Sequence, residues 1–190
     1  MKKRLGQGIL LASALLVASC VGNNFDNQKL IVGLECDYAP FNWTATTASA
    51  YTLPIDGING QFADGYDIQI AKHLGAEMGK EVIIKKIEWG ALIPALQTGD
   101  INAIIAGMSY TEERDASVDF SAAYYVSDIV AIVRGDSDLV AIDSIQDLSG
   151  YKVVSQLGTI QDSVIDQIEG VIHQPGTDTF NTAALSVISG

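Results

Sequence analysis

Ile104-Ile105-Ala106-Gly107-Met108-Ser109-Tyr110-Thr111-Glu112-Glu113-Arg114 is the stretch on which the reading of this chain turns. It follows Gly99-Asp100 and continues Ile101-Asn102-Ala103, so residues 101–107 are expected as a buried strand. Thr111-Glu112-Glu113-Arg114 then has the pattern of a helix start, with a hydroxyl cap and two acids favoured by the helix dipole. A strand that feeds a helix through Gly-Met-Ser-Tyr leaves backbone N–H groups pointing outward, an arrangement that receives anions, carboxylates included. Arg114, one turn further on, is within reach to add a bidentate guanidinium contact. A second turn of the same kind, Gly158-Thr159, lies between a strand expected at Tyr151–Ser155 and a helix expected at Gln161–Ile168. By periodicity alone, each turn is equally readable as a plain connection and Arg114 as a solvated surface arginine.

Upstream, Lys29–Leu34 reads as a buried strand, and residues 44–64, rich in Thr, Ser, Ala, Gly and Asp, as a surface excursion. Ile68, Ala71, Leu74, Gly75 and Met78 recur at helical spacing. Glu81–Trp89 reads as a strand, and Leu92, Ala95 and Leu96 line a short helix with Pro94 in its first turn. Ser127–Val133 reads as a further strand, followed by a polar stretch, Arg134–Asp147. Strands alternating with helices predict an α/β fold with a mainly parallel sheet, divided near residue 133.

Composition narrows the setting. Three basic residues, Lys2, Lys3 and Arg4, precede the apolar run Ile9–Val17, which is shorter than the ~20 residues of a spanning helix. Residues 1–19 are therefore expected as a secretory signal. Val17-Ala18-Ser19-Cys20 resembles a bacterial lipobox, which makes Cys20 a lipid anchor and residues 20–28 a tether. An ordinary signal peptide with an incidental cysteine is the alternative. Without Lys2, Lys3 and Arg4, 8 basic residues face 23 acidic ones, a net charge of −15 that repels nucleic acid. Cys36 would then be the one remaining cysteine, expected as a small buried hydrophobe with no disulfide partner. Two isolated histidines without paired cysteines give no zinc site, and no phosphate-binding G-x-x-x-x-G-K-[ST] loop occurs, so no metal or cofactor is expected.

Several strings match one family in order and spacing: Tyr38-Ala39-Pro40-Phe41, Gly65-Tyr66-Asp67-Ile68, Trp89 with Leu92–Gly99, Gly107–Arg114, Asp119-Phe120-Ser121 with Tyr124-Tyr125, and Gly158-Thr159. Over about residues 29–190 the chain resembles the polar amino-acid solute-binding proteins of ABC importers. The resemblance implies a periplasmic-binding-protein type fold. Its two α/β lobes, here residues 29–132 and 133–190, would have mainly parallel sheets and close over one amino acid. It also implies an extracytoplasmic, lipid-anchored monomer that docks on a membrane permease.

By resemblance, Arg114 grips the ligand carboxylate, Ser109 sits near both carboxylate and ammonium, and the Gly107 carbonyl accepts from the ammonium. Thr159, with Gly158, would supply N–H donors from the second lobe. Tyr38 and Trp89 would flank the ligand side chain, and Glu35 would meet its far end. Read without the family, Tyr38 and Trp89 are equally core aromatics and Glu35 a solvated loop acid. If they do form a pocket, two rings and a carboxylate favour a cationic side chain, arginine or lysine, at about 0.5–2 kcal/mol per ring. The resemblance further implies a strand bearing an aspartate for the ligand ammonium, a role that no residue up to Gly190 matches. The second lobe is therefore expected to be incomplete. Missing one partner of a buried charged pair costs about 2–5 kcal/mol, so micromolar binding would weaken to millimolar.

Two other classes compete. Gly107-Met108-Ser109-Tyr110-Thr111 is one residue from a G-x-S-x-G nucleophile elbow, with Asp128 or Asp136 and then His173 in hydrolase order. Thr111 in place of the second glycine and an irregular setting for His173 count against a serine hydrolase. A sensing domain of a receptor on the same fold is the other alternative.

Overall fold

The computed structural model describes residues 27–190. The expected signal, Cys20 and most of the tether lie outside the described residues. In chain order the strands and helices are β1 (Lys29–Leu34), β2 (Asp37–Tyr38), β3 (Asn42–Ala45), β4 (Leu53–Pro54), β5 (Phe62–Asp64), α1 (Tyr66–Met78), β6 (Glu81–Lys86), α2 (Leu92–Thr98), β7 (Ala103–Ile104), α3 (Glu112–Asp115), β8 (Lys152–Val153), α4 (Ile160–Ile165), β9 (Ile172–His173) and α5 (Phe180–Ser189).

A parallel sheet ordered β6-β1-β7 forms the centre of the first lobe. β1 pairs with β6 from Lys29 opposite Glu81 to Leu34 opposite Lys86, and with β7 at Val32–Ala103 and Gly33–Ile104. Branched side chains on β1 and β6 suit a strand covered on both faces. Val32, Leu34, Ile84, Leu92 and Ile68 are fully buried, and α1 packs against β6 while α2 packs against β1 and β7. The helix α1 ends where Gly79 turns left-handed and caps the Ala76 and Gly75 carbonyls. Cys36 is buried, and burial pushes its thiol up to about 12, so it behaves as a core residue.

Two expectations need correction. Residues 44–64 are more than a surface excursion: β3, β5 and β4 join β2 in an antiparallel sheet ordered β2-β3-β5-β4. These strands are two to four residues long, too short to show alternation, and β3 pairs with β5 across an intervening loop. The sheet anchors Ile55 and Ala63 in the core.

Ser127–Val133 is not a strand. It makes no ladder bond among the described residues, and its Val130 and Ile132 stand 75% and 56% exposed. Its β-branched composition is that of a strand, but β8 pairs with β9 and leaves it without a neighbour. The strand expected over residues 101–107 likewise narrows to β7.

The second lobe is correspondingly slight. Its sheet is the parallel pair β8-β9, extended by a bridge from Gln156 to Thr177. Leu148, Ile165, Ile168 and Ala183 are its buried apolar residues. His173 lies on β9 and not in an irregular stretch.

Candidate functional site

The turn after β7 is shaped by Gly107, whose φ of +59° is left-handed; a Cβ there would stand 3.2 Å from the Tyr38 ring. A buried network holds this turn. The Gly107 N–H donates to the Tyr124 hydroxyl at 2.9 Å, and that hydroxyl donates to Asp67 at 2.7 Å. Asn42 donates to the other Asp67 oxygen at 2.8 Å. Burial raises the Asp67 carboxyl above its ordinary range, opposed by the Tyr124 and Asn42 hydrogen bonds. Burial also pushes up the Tyr124 hydroxyl, so it stays protonated and can donate to Asp67.

Thr111 then caps α3, its hydroxyl accepting from the Arg114 N–H at 3.1 Å. The guanidinium Nη1 donates to the Ser109 carbonyl at 2.8 Å and Nη2 to the Gly158 carbonyl at 3.0 Å. The group stands 5.3 Å from the centroid of the Trp89 ring, within cation–π range. Trp89 reaches the same Gly158 carbonyl with its indole N–H at 3.1 Å. Two donors of the first lobe thus converge on one carbonyl of the second. Gly158 takes a left-handed φ of +71° in this turn, a conformation that favours glycine.

Thr159 caps α4. Its hydroxyl accepts from the Asp162 N–H at 3.2 Å and donates to the Gln156 carbonyl at 2.7 Å. Gln156 and Glu35, both buried, meet across the cleft, the amide donating to the carboxylate at 2.8 Å and also to the Asp178 carbonyl at 3.0 Å. Burial raises the Glu35 carboxyl, opposed by hydrogen bonds from Gln156 and the Trp89 backbone. Reading Glu35 as a solvated loop acid is therefore wrong.

Tyr38 stacks on Phe41 at 5.2 Å and meets the edge of Phe180 at 5.6 Å. Beside it Asn181 donates to the Asp37 carboxylate at 2.6 Å, fastening α5 to β2.

Seven of the eight residues singled out from the sequence (Glu35, Tyr38, Trp89, Gly107, Ser109, Arg114 and Thr159) line one cavity of about 1030 Å³. Gly158 borders an adjoining depression with Trp89 and Arg114. The lining of the cavity also takes in Ile129–Val133 and the apolar residues Leu148, Ile165 and Ile168 of the second lobe.

Gln156, Phe180, Asn181 and the Asn42–Asp67–Tyr124 network are missed by the sequence reading. Gln156 carried a signal, a polar side chain directly after an apolar strand and before a glycine turn. The hydrolase arrangement is not assembled: His173 directs both ring nitrogens at Asp162 and Asp166. No group of three or more His, Cys, Asp or Glu placed to hold a metal ion occurs among the described residues. No helix among them is long and apolar enough to cross a membrane.

Residues 30–183 match the bacterial extracellular solute-binding proteins, family 3. The chain belongs to that family. It is 31% identical over 160 residues to the arginine-binding extracellular protein ArtP of Bacillus subtilis, covering 78% of this chain and 56% of that protein. It is 29% identical over 196 residues to a probable histidine-binding protein of Campylobacter jejuni, covering 98% and 70% respectively. Among solved structures, the arginine-bound truncated ArgBP from T. maritima superposes with a TM-score of 0.71 at 34% identity, covering 86% of this chain and 70% of that one. The ancestral amino acid-binding protein AncCDT-1, a precursor of cyclohexadienyl dehydratase, gives 0.72 at 32% identity, with 86% and 67% covered. The chain thus spans between about half and 70% of these relatives' lengths.

Proposed function

We propose that this chain is the ligand-capturing part of an extracytoplasmic receptor that binds a free amino acid and delivers it to the permease of an ABC importer. One observation carries the reading: the Arg114 guanidinium spans the cleft and spends its donors on two neutral carbonyls, Ser109 and Gly158. A carboxylate is a stronger acceptor than a carbonyl, roughly twofold in hydrogen-bond strength. An α-carboxylate entering the cleft therefore displaces Gly158 and takes the guanidinium. Ser109 and the Gly107 carbonyl then face the ammonium, and the Gly158–Thr159 turn closes from the opposite lobe. Family membership and relatives described as binding arginine, histidine, cystine and glutamine support the amino-acid class.

Arginine or lysine is the favoured ligand. The buried Glu35 carboxylate supplies a counter-charge at the cleft wall, and Tyr38 and Trp89 supply faces for a cation. The arginine-binding relatives point the same way. We place the lobe boundary near residue 133 and read the protein as a non-enzymic monomer, held at the membrane by a lipid on Cys20. Titration calorimetry with arginine, lysine and glutamine at millimolar concentrations tests this reading, and tighter binding of arginine and lysine than of glutamine is expected. Failure to bind any amino acid at 10 mM (on the order of 3 kcal/mol of affinity) would reject it, and labelling by a fluorophosphonate would replace it with the hydrolase.

A further inference from the structure

His173 stands on β9 between two carboxylates of the α4 segment. Its Nδ1 lies 2.8 Å from Asp166 Oδ1 and its Nε2 3.1 Å from Asp162 Oδ1. A neutral imidazole has one N–H, so it can donate to one of these oxygens while its other nitrogen turns a lone pair toward the second. Only the imidazolium satisfies both. The hydrogen bond to Asp166 chiefly raises the ring above its ordinary 6.5, with partial burial opposing and Asp162 adding to the rise. These two carboxylates are the charged groups acting on the ring, and β8 brings the apolar Val153 opposite it.

The bridge connects with the cleft through a short chain of hydrogen bonds. The Asp162 N–H donates to the Thr159 hydroxyl, which donates to the Gln156 carbonyl. Gln156 in turn holds Glu35 across the cleft. Asp162 is therefore tied at its side chain to β9 and at its backbone to the turn that faces the ligand. We infer that His173 is a positioning residue for the Gly158–Thr159 turn, and that its protonated form fastens this turn for an incoming carboxylate. The ligand part of this inference rests on the amino-acid reading above, whereas the positioning part rests on the contacts alone.

The sign follows from the geometry. The double bridge is complete where His173 is charged, below its ordinary range, and one link is lost as pH rises through the raised pKa. Ligand affinity should therefore fall about three- to tenfold between pH 5.5 and 8.

Two-dimensional NMR of the whole chain tests the inference, following the His173 ring and the Thr159 and Asp162 amides over the same pH range. The expected result is one shared midpoint above 6.5. In His173→Gln the amides should become insensitive to pH, and in Asp166→Asn the shared midpoint should move down. The second variant alters an exposed side chain and keeps the test informative if the first unfolds. Amides that ignore the ring's titration would overturn the inference. Arginine titrations at both pH values complete the test: the wild-type affinity ratio should collapse toward one in His173→Gln, and an unchanged ratio would also overturn it. Shared midpoints without amino-acid binding at any pH would support the positioning role and overturn the amino-acid reading alone.

Discussion

The two lobes carry similar apolar sequences and put them to different use. In the first, β1 is paired on both edges, and Val32, Leu34 and Ile84 are sealed beneath α1 and α2. Leading up to the boundary near residue 133, the apolar run Ser127–Val133 has no ladder partner and lines the cavity, and in the second lobe Leu185 and Ile188 of α5 stand 60% and 69% exposed. Apolar composition therefore does not by itself make a strand. The ladder and the opposing layer make it, and stability should be divided between the lobes accordingly.

Hydrogen exchange should show the largest contrast. Amides of β1 and β6 should be protected by about three or more orders of magnitude relative to residues 127–133, which should exchange close to free-chain rates. Equal protection would erase the distinction. Next in size come paired truncations. Leu34→Ala should cost about 2–5 kcal/mol in denaturant unfolding, whereas Ile132→Ala should stay within ~0.5 kcal/mol. A large loss at Ile132 would show that the segment leading to the lobe boundary has a core beyond the residues buried here. Smaller still, Tyr124→Phe leaves Asp67 and the Gly107 N–H short of a partner, at about 1–3 kcal/mol. It should also weaken ligand binding, because it releases the Gly107 turn. A variant as stable and as tight as the parent would remove the network from the account.

Much of the first lobe was legible because local pattern and tertiary role coincide there. The branched runs at Leu30–Val32 and Val82–Ile84 are strands, and of the expected helix face Ile68, Ala71 and Gly75 are buried while Leu74 and Met78, toward its end, stand 41% and 51% exposed. Thr111 followed by two acids reads as a cap, and the Thr111 hydroxyl does accept from the Arg114 N–H. The antiparallel sheet escaped because pairings such as Trp43 with Asp64 are set by partners across an intervening loop and not by alternation. At the site, Arg114 was findable from its place after a glycine turn. Gln156 offered only its place before a glycine turn and Asn181 nothing, since each gains its meaning from a residue more than a hundred positions away, Glu35 and Asp37 respectively.

The most direct test of the central claim is Arg114→Ala, with arginine affinity measured by calorimetry beside a thermal melt. The account predicts that affinity falls at least a hundredfold, on the order of 3 kcal/mol, while the melting temperature moves by only a few degrees. Arginine bound as tightly by the folded variant as by the parent would contradict it.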